Sequence, residues 1–340
     1  MPSDLILRRR KENMNTKSIA ILVVSLITAS FHIAGAQQRK IPVIGYLSGG
    51  SASAATPRVD AFRQGLRELG YTEGRNIGVE YRYADGNLDR MPDLAADLIR
   101  LKIDVIVSGT EQGTRAVQQA TKSIPILLTA SGDPVASGFA ASLARPGGNI
   151  TGTTSSGSLE TVRQRIELLK EAVPKLSYLG IVWNPGNLGQ RQQLKENEDA
   201  AKTLDVKLQS VELERLDDLE NVFAAITKER PSGLLVFRLP IVTIHAKRIT
   251  EFAQKNRLPT MFTYDQFVEA GGLMSYAPDL LDLDRRAAVY VDKILNGAKP
   301  ADLAVEGPKK FELVINLKTA QQIGLTIPPA LFKRADKIIK

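Results

Sequence analysis

The sequence predicts an α/β protein built as two similar halves, each a parallel sheet covered by helices, with the chain crossing between them more than once. Three observations carry this expectation. Short apolar runs alternate with helical stripes in βα order. The alternation restarts near residue 178 after a first set of five runs. The 304 residues that follow an N-terminal export segment exceed the usual size of one domain.

The first half begins with the apolar run Val43 to Leu47. Thr56-Pro57 marks the start of a helix with Val59, Phe62, Leu66 and Leu69 on one face and Gly70 as its stop. Ile77, Val79, Tyr81 and Tyr83 alternate with polar positions at period two, and Met91, Leu94, Leu98 and Leu101 then form a helical stripe. Ile103 to Val107, Ile126 to Leu128 and Ile150 to Thr153 are three further strands. All five fit one parallel sheet. A helix bearing Val162, Ile166 and Leu169 ends at Pro174. The second set of strands is Tyr178 to Trp183, Val206 to Val211, Gly233 to Phe237, Thr260 to Thr263 and Gly272 to Tyr276, with helices between. The helix Leu281 to Asn296 and the segment Phe311 to Ile315 come after this sheet is complete, so crossings are expected near 151–156, 277–279 and 300–308. The lobes are then 37–155 with about 278–300, and 156–277 with about 308–340. Several crossovers make a hinge rather than a flexible linker.

Ahead of the first strand stand Arg8-Arg9-Arg10-Lys11, an apolar run from Ile19 to Phe31, and Ala34-Gly35-Ala36. Positive charge, a short apolar core and a small-residue box read as a secretory signal peptide cut after Ala36, with Met14 an alternative start. Ser25, Thr28 and Ser30 interrupt the run, which falls short of the roughly 20 residues of a membrane span. The chain has no cysteine, which excludes disulfides, thiol catalysis and a lipid-acceptor Cys behind the signal. A periplasmic destination fits best. Five basic and two acidic residues lie within 1–36, so their removal lowers the net charge from +8 to +5. The remaining cations are mixed with acids along helices, which argues against nucleic acid as a partner.

In open parallel sheets ligands bind beyond the carboxyl ends of the strands. Those ends carry small polar residues here: Ser48-Gly49-Gly50-Ser51, Ser108-Gly109-Thr110, Ser131-Gly132-Asp133 and Thr153 to Ser156 in the first half. The second half offers Asn184-Pro185-Gly186-Asn187, Arg238, Tyr264-Asp265 and Ser275-Tyr276. Helix N-termini with nearby hydroxyls suit a small anion, although each such residue also serves as a helix cap. Catalytic groups are scarce. His32 belongs to the export segment, and His245 has no second His or Cys for a metal site or a triad. No G-x-G-x-x-G or Walker motif follows the first strand, so no cofactor is expected. Asp217-Asp218 and the pair Asp282 and Asp284 sit at helix starts and read as caps.

Ile41-Pro42-Val43-Ile44-Gly45-Tyr46-Leu47, Ser131-Gly132-Asp133-Pro134-Val135, Arg145 to Gly152, Asn184-Pro185-Gly186-Asn187 and Val314 to Ala320 together resemble the ABC-transporter substrate-binding proteins of the type that includes tryptophan and tyrosine binders. The resemblance spans about Ile41 to Lys340 and implies a type I periplasmic-binding fold, two Rossmann-like lobes closing by hinge motion around a small solute. It implies delivery to an inner-membrane ABC permease; separately, a monomer is expected. Carried onto this chain, the binding residues are Ser48, Gly49, Thr110, Ser131, Asp133, Thr154 and Ser155 from the first lobe, and Asn184, Asn187, Arg238, Tyr264 and Tyr276 from the second. For an amino-acid ligand, hydroxyls and N–H groups would hold the carboxylate, Asp133 or Asp265 the ammonium, and Tyr264, Tyr276 or Phe237 an aromatic side chain. Arg238 stands apart, as a cation suited to an acidic or phosphorylated ligand. A sensor module docking on a signalling receptor and an exported carboxylate-based hydrolase are the alternative readings. Trp183 is expected at or just beneath the cleft floor.

Overall fold

Two sheets organise the chain in a computed structural model that describes residues 41–238, 242 and 245–340. The expected signal segment with Met14 and His32, and the Leu239-Pro240 pair, lie outside the described residues. Residues 42–340 form one compact unit. No helix among the described residues is long and apolar enough to cross a membrane.

The first sheet contains β1 (Val43–Ser48), β2 (Gly78–Tyr83), β3 (Val105–Ser108), β4 (Ile126–Ser131) and β5 (Ile150–Thr154) in the order β2-β1-β3-β4-β5, every pair parallel. Buried apolar residues cover both of its faces. One core joins Ile44, Tyr46, Val105 and Val107 to Val59, Phe62 and Leu66 of α1 (Ala52–Glu68). The other joins Leu47, Ile106, Ile126 and Leu128 to α2 (Met91–Arg100) and α3 (Glu111–Ala120). The helix α1 begins a full turn before Thr56-Pro57, because the Ser51 hydroxyl accepts from the Ala54 N–H and caps it. Pro57 sits inside the helix, past its first turn, so the helix forgoes one i→i−4 hydrogen bond there. Leu69 and Leu101 fall just past their helices and are exposed, so the apolar stripes end at Leu66 and Leu98.

The chain then passes into α4 (Leu159–Ala172) and a second sheet of β6 (Tyr178–Trp183), β7 (Lys207–Glu212), β8 (Gly233–Val236), β9 (Thr260–Phe262) and β10 (Met274–Pro278), with α5 (Leu188–Thr203), α6 (Leu219–Glu229), α7 (Ala246–Lys255) and α8 (Gln266–Glu269) between strands. It returns to the first lobe as α9 (Leu280–Leu295), whose Ala287, Ala288 and Val291 join the α1 core. Beyond α9 the backbone bonds to β5, with Glu306 N donating to Gly152 O (3.0 Å) and Thr154 N to Glu306 O (2.9 Å). It then enters the second sheet again as β11 (Phe311–Asn316), followed by α10 (Leu317–Ile323), α11 (Pro329–Arg334) and β12 (Lys337–Ile339).

That sheet runs β12-β11-β10-β9-β8-β6-β7. It departs from the expected all-parallel arrangement at one place, since β11 pairs antiparallel to β10. The connection into β11 comes from the other lobe instead of through a helix folded over the same sheet, which removes the constraint that keeps βαβ strands parallel.

Candidate functional site

The loops after β1, β3, β4 and β5 in the first lobe and after β6, β8 and β9 in the second line one cavity of about 170 Å³. This is the carboxyl-end geometry of parallel strands, presented twice and face to face. Ser48, Gly49, Thr110, Asp133, Ser155, Asn184, Asn187, Arg238 and Tyr264 all line it. Three expected residues do not. Ser131 is buried with its carbonyl accepting from Ser155 Oγ (2.9 Å), and Thr154 turns its hydroxyl onto Gly132 O (2.9 Å), because the β4–β5 junction uses them to close its own loop. Tyr276 packs against Phe311 across the antiparallel β10–β11 pair. Asp265 and Phe237 are likewise absent from the lining, and Phe237 is buried in the core beneath. His245 precedes α7, away from the cavity.

Several lining side chains hold their own loops. Thr110 Oγ1 accepts from Gly113 N (3.1 Å) and Asp133 Oδ1 from Val135 N (2.8 Å) and Ala136 N (3.1 Å). Asn184 Oδ1 accepts from Gly186 N (2.7 Å) and Asn187 Oδ1 from Gln190 N (2.8 Å). Capping is therefore real at these positions, and it rigidifies the rim. Among the described residues nothing donates to the second Asp133 oxygen, Oδ2.

Beneath the rim lies a charged cluster that sequence spacing did not reveal. Arg58 of α1 donates from Nε to Asp284 Oδ2 (2.6 Å) and from Nη2 to Asp284 Oδ1 (2.8 Å), while Nη2 also reaches Thr129 O and Oγ1, both at 2.9 Å. Thr129 Oγ1 donates to Asp284 Oδ1 as well. Asp284 is wholly buried, so it is the counter-ion of Arg58 and not the helix cap expected from its place in α9; the α9 cap is Asp279. Burial works against the Arg58 cation, yet Asp284 more than reverses this and raises its pKa. Burial, and next the Asp284 charge, push the nearby Tyr46 phenol up, keeping it protonated.

Arg238 enters from the second lobe. Its Nη2 donates to Ala130 O (2.8 Å) of the first lobe. Ala130 adopts φ 46°, a left-handed conformation within an irregular stretch of β4, and this turns its carbonyl out of the ladder. Burial, and then the positive charge of Arg58, bring the Arg238 guanidinium down to about 10. Arg165 of α4, also lining the cavity, donates from Nε to Tyr276 O (2.9 Å) and lies over the Phe311 ring.

A second bridge joins the lobes. The buried Glu111 carboxylate, first residue of α3, accepts at Oε1 from Leu188 N (3.1 Å) and Arg115 Nη2 (3.0 Å), and at Oε2 from Gly189 N (3.2 Å) and Ser137 Oγ (3.0 Å). Leu188 and Gly189 open α5 in the other lobe, so a carboxylate of one lobe caps a helix of the other. Glu111, Arg58, Tyr46, Gln190 and Ser156 are lining residues that sequence reading passed over. Only Ser156, within the polar run 153–156, carried a local signal.

The family described as ABC transporter substrate binding protein matches residues 40–339 of this chain. A tyrosine-binding protein of Clostridioides difficile (strain R20291) is 25% identical over 279 residues, covering 79% of this chain and 78% of its own length. Among solved structures, a conserved domain protein of Vibrio cholerae O1 biovar El Tor superposes with a TM-score of 0.83 at 28% identity, covering 88% of this chain and 100% of that one. An ABC domain from Streptococcus pneumoniae in complex with L-Trp gives a TM-score of 0.83 at 23% identity with the same coverage.

Proposed function

Because the chain belongs to the ABC transporter substrate-binding protein family, a family of solute binders rather than enzymes with the type I periplasmic-binding fold, we propose that it is the extracytoplasmic receptor of an ABC import system and takes an amino acid between its lobes. The observation that carries this reading is the single cavity in which the strand ends of both lobes meet, lined by a cation, Arg238, and an acid, Asp133. A zwitterion presents the matching pair of charges. The tyrosine-binding and L-Trp-bound relatives favour an aromatic amino acid, and Tyr264, which lines the cavity together with Tyr46, would supply a ring to stack on it.

The three chain passages between the lobes, after β5, after β10 and before β11, serve as the hinge about which the lobes open to admit solute and close to expel water. The closed receptor, a monomer, presents its solute to a membrane permease. Export would follow from residues 1–36, with the mature chain starting at Gln37.

Native mass spectrometry of protein purified without denaturation, followed by a thermal-shift screen of amino acids, tests the assignment. A ligand at a hundredfold excess over its Kd stabilises the folded form by about 2.7 kcal/mol, a readily measured rise. A co-purified sugar or nucleoside, with no amino acid raising the melting temperature, would reject it.

A further inference from the structure

We propose that Arg238 anchors a carboxylate carried by the ligand, so that the cleft takes carboxylate-bearing solutes and discriminates strongly against neutral ones. This rests on the receptor reading above and adds to it the chemical group that is recognised and the residue that recognises it.

At the junction of the lobes two guanidiniums, Arg58 and Arg238, stand near a single carboxylate, and that carboxylate is used up. Both Asp284 oxygens are taken by Arg58, and Thr129 adds a third donor. Among the described residues no Asp or Glu oxygen lies within 4.0 Å of Arg238, and its side chain makes one hydrogen bond, to Ala130 O. The acids elsewhere in the lining are held by other groups: Glu111 by four donors, Asp133 Oδ1 by two N–H groups, and Glu196 Oε1 by Gln192 Nε2 (3.1 Å). A guanidinium with no carboxylate partner among the described residues therefore faces the cavity from a partly buried position.

The backbone of Arg238 is fixed on both sides, its N–H donating to Thr263 Oγ1 (2.9 Å) and its carbonyl accepting from Gln190 Nε2 (3.0 Å). A guanidinium carried on a fixed backbone, with most of its N–H donors unspent, matches the planar two-oxygen geometry of a carboxylate. A second observation points the same way. The Ser156 hydroxyl, in the same lining, is buried and without a hydrogen-bond partner, which in a folded protein marks a position completed by something else. A neutral ligand would close the lobes over an unpaired cation, and sites built to pair a polar group reject analogues that lack it.

The test screens the twenty L-amino acids and L-arabinose by thermal shift, then takes the tightest amino acid and its α-amide to calorimetry with the parent, Arg238→Gln and Arg238→Lys. The parent should bind the acid about 100-fold or more tightly than the amide. In Arg238→Gln that ratio should collapse below about tenfold through loss of affinity for the acid alone, with Arg238→Lys between the two. If Arg238→Gln weakens acid and amide by one common factor, Arg238 is only a strut between lobes and the assignment falls while the receptor reading stands. An Arg238→Gln protein that binds the acid like the parent overturns it equally. Stabilisation by arabinose and by no amino acid would overturn the receptor reading and this assignment together.

Discussion

Asp284 shows how much a single buried charge decides. With both oxygens bonded to Arg58 and no exposure to solvent, Asp284→Asn strands the Arg58 cation, and such losses cost about 3–5 kcal/mol. Urea unfolding should show that drop, and the double replacement Arg58→Met with Asp284→Leu should recover much of it, since an apolar pair of similar volume removes the stranded charge. Failure of the double variant to recover would place the defect in packing instead. Asp133→Ala and Asn184→Ala test a different balance. Asp133→Ala loses two loop-capping hydrogen bonds and Asn184→Ala one, and loss of a cap costs about 1 kcal/mol in the empty protein; Asp133→Ala should in addition weaken amino-acid binding through the loss of its second oxygen. Equal affinity in the parent and Asp133→Ala, measured by calorimetry, would reduce Asp133 to a cap. The capping roles were legible because caps follow from neighbours in sequence. The Arg58–Asp284 pair was not, because its members are 226 positions apart and Asp284 also sits where a helix cap is expected.

At the scale of elements, α1 and α9 meet at Gly65, where a Cβ would lie 2.2 Å from the Arg285 carbonyl oxygen. Gly65→Ala should therefore force the helices apart and destabilise the first lobe by about 1–3 kcal/mol despite the better helix propensity of Ala; an unchanged urea midpoint would show that the interface yields freely. Between lobes, Glu111 caps the first two N–H groups of α5. Hydrogen bonds to a charged group contribute about 1.5–3 kcal/mol, and these two exist only when the lobes are together. Glu111→Gln should accordingly favour the open receptor, raising the ligand-free radius of gyration in solution scattering and weakening ligand binding about tenfold or more. Identical scattering curves and affinities for variant and parent would show that the contact holds no part of closure. The βα order of these elements was readable from period and punctuation. The direction of β11 was not, since an apolar run carries no information on which way its neighbour runs.

For the whole molecule, the fluorescence of the single tryptophan separates lobe rotation from lobe deformation. Trp183 ends β6 directly before the cavity residue Asn184, yet its ring lies in the core among Leu179, Leu235 and Phe237, and its Nε1 donates to Ser210 Oγ (2.7 Å). Of the two expected places, at or just beneath the cleft floor, the lining excludes the first: successive residues of a strand point to opposite faces, and Trp183 takes the inner one. Lobes that turn as rigid bodies about their crossings leave such a residue undisturbed. Saturating ligand should thus compact the protein in scattering while the Trp183 emission maximum stays put; a saturable shift would mean that the second-lobe core itself rearranges on binding.

The sequence by itself determined the run of strands and helices, the doubling into two α/β lobes, and the loops from which a ligand site is made, because each follows from hydrophobic period, turn residues and the rule that binding loops follow parallel strands. The tertiary structure alone decided which of those loop residues face the cavity, and it brought in Tyr46, Arg58 and Glu111 from helices and a strand interior. The physical reason lies in range. A cap or an apolar stripe is specified within a few residues, whereas an ion pair, a helix capped from the opposite lobe and an unbalanced guanidinium depend on segments that only the completed fold brings within hydrogen-bonding distance.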